Sequence, residues 1–200
     1  MNMWNYFVKG GIMMWPLLGC SILSLAIIIE RLIFFYKTDV KIKPLMEGLL
    51  SSIKKDDIDR ALKVCDNTKI PIVNTLRNGL MKFREGKETV RESMEEAGLY
   101  EIPRLERYLA VLQALASIAT LMGFTGTVMG MIRAFNDIVA HGISSPTVVA
   151  KGIAEALITT VTGLFIAIPT LLFYHYFSHR VDKSIIEIEQ CTRELLNLAK

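Results

Sequence analysis

Three stretches of this chain run for twenty or more residues without a formal charge, and they restrict its possible folds more than any other feature. Residues 10–29 lie between Lys9 and Glu30, and residues 108–132 between Arg107 and Arg133. Residues 156–179 lie between Glu155 and Arg180, with both histidines taken as neutral. A helix rises about 1.5 Å per residue and a bilayer's hydrocarbon core is about 30 Å thick, so about 20 apolar residues suffice to cross it. All three stretches are long enough. The 52% share of hydrophobic residues is also high for an ordinary soluble domain. The sequence therefore predicts an all-α membrane protein with three transmembrane helices and a helical cytoplasmic domain.

The first apolar stretch reads as a retained anchor. A secretory leader would have a basic start, a shorter apolar core and a small-residue cleavage site. Here one lysine precedes a long run, and Glu30, Arg31 and Leu32 follow it. Orientation follows from the positive-inside rule. Lys37, Lys41, Lys43 and Arg104 flank the segment between the first two spans, with Arg107 just beyond, and Arg180 and Lys183 follow the third. The other face carries Lys9, Arg133 and Lys151. The balance predicts a periplasmic N-terminus and a cytoplasmic C-terminus in a bacterial inner membrane.

The expected divisions are an outer interfacial segment at 1–10, transmembrane helices at 11–35, 107–139 and 149–178, a cytoplasmic helical domain at 36–106, a periplasmic loop at 140–148 and a cytoplasmic helix at 179–200. Trp4, Tyr6, Phe7 and Trp15 suit the outer interface, and Phe34, Phe35, Tyr36, Tyr174 and Tyr176 the inner one. In the cytoplasmic segment, Asp56 or Asp57 is placed to cap a helix bearing Ile58, Ala61, Leu62 and Cys65 on one face. Pro71 opens a second helix with Ile72, Leu76, Leu80 and Phe83 in register, and Gly86 is expected to stop it. A charged run from Lys87 follows, which Gly98 and Pro103 are expected to interrupt, with a break or kink near Ile102. Val181, Ile185, Ile188, Cys191 and Leu195 recur at helical spacing after the third span.

Composition excludes some functions. The net charge is +3, from 23 basic and 20 acidic side chains, and no basic block is interleaved with aromatics, so nucleic-acid binding is not indicated. Cys20, Cys65 and Cys191 lie far apart without metal-ligand spacing and read as reduced, structural thiols. His175 and His179 stand four apart, a spacing seen in metal sites, but no third ligand is evident. No metal site, cofactor or catalytic constellation is expected.

The polar residues within the second and third spans carry more information. Gly123, Gly126 and Gly130 lie in span two, and Gly152 and Gly163 in span three, at positions where small residues let helices approach closely in lipid. Thr120, Thr125 and Thr127 accompany the first group, and Thr159, Thr160 and Thr162 the second. Two readings of Glu155 stand side by side. In one it sits at the outer interface and pairs with Lys151 at i, i+4. In the other the helix begins nearer Val148 and Glu155 lies about two turns in, where a carboxylate is costly and faces a polar pathway. Residues 152, 155, 159, 162 and 166 share a stripe, so Glu155, Thr159 and Thr162 are expected to line one face, while Thr160 looks toward a different neighbour. Pro169 is expected to kink the inner half of span three.

The strings LMGFTGTVMGM at 121–131, GIAEAL at 152–157, Thr160 and AIP at 167–169 resemble the ExbB/TolQ/MotA proton-channel family, most of all its three-span ExbB/TolQ branch. The likeness extends more loosely to MWPL at 14–17 and to Glu30 and Arg31. It implies a ring-forming homo-oligomer, typically a pentamer, around a dimer of single-span ExbD/TolR-type proteins whose transmembrane aspartates carry protons. It further implies that Thr127, Glu155 and Thr160 match the family's ion-pathway positions, and that a TonB- or TolA-type protein receives the work. Metal or solute carriage and passive assembly are the competing functions. Two positions depart from the pattern: Thr120 replaces a frequent proline, and Thr125 replaces an apolar residue and is expected to add an oxygen near Thr127. Hydroxyls coordinate sodium as well as relay protons, so the resemblance leaves the ion open.

Overall fold

A computed structural model of the chain describes residues 7–54, 57–66, 70–141 and 146–198. Trp4, Tyr6, Asp56 and the loop residues Gly142, Ser144 and Ser145 lie outside the described residues. Among those described, the elements are helical: α1 (Met14–Lys54), α2 (Ile58–Asp66), α3 (Pro71–Met81), a 3-10 turn (Phe83–Glu85), α4 (Lys87–Leu105), α5 (Leu109–His141) and α6 (Pro146–Leu198). Three stretches are long and apolar enough to cross a membrane: Met14–Thr38 in α1, the apolar part of Lys87–Ala140 and Val149–Asn197 in α6. At 41 and 53 residues, α1 and α6 far exceed the about 20 that a bilayer needs, so each helix continues beyond its apolar stretch.

The chain divides into two compact units, one of residues 1–29 and 108–175, the other of residues 30–107 and 176–200. In the first, the N-terminal part of α1 packs against α5 and α6 through Met14, Leu17, Ala119 and Ala167, with Met122, Ile158 and Ile166 around them. Large apolar residues such as Leu25, Phe124, Phe135 and Phe165 stay exposed on this unit. A water-soluble fold does not leave such a surface bare, whereas lipid or further membrane helices would cover it.

The second unit is a helical bundle. Asp57 Oδ1 accepts the Arg60 N–H at 3.1 Å and caps α2. Pro71 occupies the first turn of α3, where its missing N–H has no cost. Ile72, Leu76 and Leu80 of α3 are buried, as are Val90 and Met94 of α4 and Val181, Ile188 and Leu195 of α6. Phe35 stacks on Phe177 with centroids 5.8 Å apart.

Arg31 is buried to 2% exposure. Its guanidinium pairs with Glu30 at 2.6 Å and donates to the carbonyls of Arg104 and Leu105 at 3.4 and 3.3 Å. The last carbonyls of a helix have no intrahelical partner, so this cation caps α4. Tyr108, at φ 65°, then turns the chain into α5.

Two expectations about this unit are corrected. α3 ends at Met81, before Gly86, because the chain tightens into the 3-10 turn; Gly86, at φ 107°, instead precedes α4. Neither Gly98 nor Pro103 breaks α4, which ends at Leu105. Gly98 meets no neighbouring atom that would compel a turn. Pro103 forfeits its own bond to Leu99 O, and only Arg104 and Leu105 follow it in the helix.

Candidate functional site in the paired membrane helices

The α5/α6 contact is built from the five glycines. A Cβ placed on Gly130 would lie 2.7 Å from the Gly152 carbonyl, and one on Gly163 would lie 2.6 Å from the Ala119 carbonyl. Gly152 faces Ala134, Gly123 faces the backbone at Thr160 and Gly163, and Gly126 receives the Thr159 side chain. At Gly126, Gly130, Gly152 and Gly163 a Cβ would come within 3.0 Å of a neighbour, a separation that real Cβ atoms do not show, while at Gly123 it would make ordinary contact at 3.4 Å. The helices are antiparallel, and residues equally distant from about residue 143 lie side by side, as in an αα-hairpin.

This seam separates the site residues onto two flanks. On the flank away from α1, Thr127 borders an apolar groove of about 310 Å³ with Met131, Phe135, Ile153, Ala156 and Leu157. Thr160 reaches across the seam and donates to the Gly123 carbonyl at 3.1 Å, one turn before Thr127. Thr127 donates to Phe124 O at 2.6 Å. A hydroxyl bound this way satisfies its proton locally and leaves its oxygen lone pairs able to accept.

Glu155 lies on the α1 flank. Its carboxylate is ion-paired with Arg133 of α5, and the Glu155 side chain is 16% exposed against 44% for Arg133. Gly11, at φ 72°, packs against the same carboxylate, and a Cβ there would collide with it. The structure thus brings Thr127 and Thr160 to one flank and holds Glu155 on the other, about 140° around α6 from Thr160 by helix geometry.

Three readings of the sequence change here. The partner of Glu155 is Arg133 rather than Lys151, because the hairpin sets Arg133 opposite it while Lys151 is exposed one turn away. Thr159 shares Glu155's stripe, about 40° round the helix, but is buried in the seam: it is 1% exposed, packs on Gly126 and donates to the carbonyls of Glu155 and Ala156 at 3.1 and 2.9 Å. Thr125 adds no oxygen near Thr127, since two residues along a helix put it about 200° away, and it bonds to Leu121 O at 2.8 Å.

α6 begins at Pro146, so Glu155 stands more than two turns inside the helix. The helix continues through Pro169, and Thr170 donates to Ile166 O at 2.7 Å beside it. Among the described residues no group of three or more His, Cys, Asp or Glu side chains gathers as a metal site would require. His175 stacks edge-on against Tyr174 with centroids 5.1 Å apart.

Three apolar helices, two of them joined by a glycine seam with hydroxyls on one flank and a charged pair on the other, define a multi-pass membrane protein with a polar site in its transmembrane region. The chain belongs to the MotA/TolQ/ExbB proton channel family, whose sequence profile matches residues 67–190. It is 29% identical to the putative biopolymer transport protein ExbB-like 3 of Synechocystis, across 94% of this chain and 90% of that protein. It is 34% identical to ExbB-like 1 of the same organism, across 84% of this chain and 67% of that protein. Against the Tol-Pal system protein TolQ of Haemophilus influenzae the identity is 41%, over 48% of this chain and 42% of the relative.

Proposed function

We propose that this protein is the stator subunit of an inner-membrane motor that couples the proton-motive force to mechanical work on an envelope-spanning partner of the TonB or TolA type. In this reading identical subunits, five as is typical of the family, form a ring around a dimer of single-span ExbD/TolR-type helices. The N-terminus is periplasmic, the C-terminus cytoplasmic, and the spans lie near 11–35, 107–139 and 149–178. Thr127 and Thr160 present hydroxyl oxygens to the partner's aspartate, and Glu155 shapes the polar surroundings of the pathway.

The observation that carries this reading is the placement of Thr127 and Thr160 on the same flank of the α5/α6 hairpin, with Thr160 bonded across the seam to Gly123, one turn from Thr127. Each hydroxyl places its proton on a helix carbonyl and leaves its oxygen lone pairs able to accept. The subunit performs no covalent chemistry. Protonation neutralises the partner's carboxylate so that it can pass an apolar sector, and a proton crossing about 100 mV releases about 2.3 kcal/mol. Each ion drives a small step, and sustained work needs many.

The test is co-expression with the single-span partner, followed by proton and sodium uptake into membrane vesicles and by motor output for Thr127→Ala, Thr160→Ala and Glu155→Ala. Loss of flux with the ring still assembled supports the assignment. Full flux and output in every variant would remove these residues from the pathway, and strong flux without the partner would reject the partner-dependent mechanism.

A further inference from the structure

We infer that Arg133 is a positioning residue for ion passage: it latches the Glu155 carboxylate to the α1 flank of the hairpin, and the Gly10–Gly11 turn closes over the pair. The inference rests on the proposed ion pathway and adds to it a residue and a role that the pathway positions do not include.

Three observations converge. First, Arg133 and Glu155 are ion-paired across two different helices, and the Glu155 side chain is largely buried. A carboxylate and a guanidinium within apolar helices are each expensive alone, and removing one leaves the other uncompensated. Second, the turn before α1 is shaped to the pair. Gly11 has a left-handed φ of 72° and donates its N–H to Val8 O at 3.4 Å, and its missing Cβ leaves the space the carboxylate occupies. Arg133 Nη1 lies 3.2 Å from the same Cβ position. Third, the direction in which Glu155 is held is opposite to the hydroxyl flank. Thr160 is tied to Gly123 on the far side of the seam, about 140° round the helix from Glu155, and Arg133 fixes the carboxylate on its own side.

The latch therefore gives Glu155 a fixed charge partner and a fixed direction. Without Arg133 the Glu155 carboxylate would be left as an uncompensated, largely buried charge. Lys9 and Lys151 are the other nearby cations by sequence, but both are exposed and neither takes the place of Arg133 in the ion pair.

The experiment compares Arg133→Gln, Arg133→Lys and Gly11→Ala in the full chain, co-expressed with the single-span partner. Proton uptake into everted vesicles is read per assembled complex, with assembly measured by size-exclusion chromatography. Arg133→Gln and Gly11→Ala are expected to lower uptake at least about tenfold, since coupling across such pairs reaches that size. Arg133→Lys, which keeps the charge, is expected to recover uptake to within about threefold of the wild type. Wild-type uptake in assembled Arg133→Gln overturns the latch, as does an Arg133→Lys variant that assembles but stays as impaired as Arg133→Gln. If Arg133→Gln does not assemble, Arg133→Lys and Gly11→Ala decide by the same criteria. Absence of partner-dependent uptake in the wild type would instead reject the ion pathway itself, so the two failures are distinguishable.

Discussion

Thr160 of α6 donates its hydroxyl hydrogen to the Gly123 carbonyl of α5 at 3.1 Å, joining the helices where Gly123 and Gly163 bring their backbones together. The bond also fixes the direction of a hydroxyl proposed to serve the ion path. Thr160→Val removes the donor and is expected to cost about 0.6 kcal/mol, the average for such bonds between membrane helices. Thr160→Ser should keep both the bond and the flux. Thermal unfolding of the purified protein in detergent, measured beside vesicle uptake, separates the two effects.

Gly130 gives a steeper test of packing. Gly130→Ala drives a methyl group into the Gly152 carbonyl and the Ala156 Cβ, 2.7 and 2.8 Å away, and should destabilise by about 1–3 kcal/mol. Gly19, also within an apolar helix, has nothing within 4 Å of its would-be Cβ. Gly19→Ala should leave the unfolding midpoint unchanged or raise it, and equal effects at the two positions would contradict the seam.

In the helical bundle, Arg31 caps α4. Arg31→Ala removes a charged donor from the carbonyls of Arg104 and Leu105 and should cost about 2–3 kcal/mol. Hydrogen exchange at the end of α4 should accelerate. Unchanged protection there would show that the cap is not what holds this helix end.

Gly98 should respond in the opposite sense. It lies inside α4 with room for a methyl group, so Gly98→Ala should stabilise by about 0.5–1 kcal/mol through helix propensity. A rise in the denaturant midpoint at unchanged slope would report it.

Cys65 predicts a pH dependence. Burial, with Asp66 adding and Arg77 opposing, pushes its thiol from 9.0 up to about 11. At pH 8 only about one molecule in a thousand carries the thiolate, so iodoacetamide should label the folded protein far more slowly than the unfolded chain. Because the folded value is raised, the stability linked to this thiol is present below pH 9.0 and is lost as pH rises toward 11. Rapid labelling of the folded protein at pH 8 would contradict the burial.

The membrane helices were legible in the sequence because charge exclusion is a strong, local signal that needs no partner to interpret. The packing role of Gly123, Gly126 and Gly130 has the same origin, since residue size alone limits helix approach in lipid. Arg133 was not legible as the partner of Glu155, because an ion pair across a hairpin depends on where the turn falls. The signal was present nonetheless: Arg133 and Glu155 are equally distant from Ser144, on opposite arms. The α4 boundary failed for another reason. Glycine and proline report local cost, and the Arg31 cap together with burial of Leu105 outweighs it.

The glycine seam also limits which motions are available to the protein. Backbones that approach as closely as they do at Gly130, Gly152 and Gly163, with the Thr159 side chain seated on Gly126, leave little clearance for one helix to slide past the other, since a shift of register sets a Cβ or carbonyl where a glycine hydrogen had been. The hairpin therefore behaves as a single stiff beam. Strain applied to it reappears as tilt or rotation of the whole beam rather than as sliding within it.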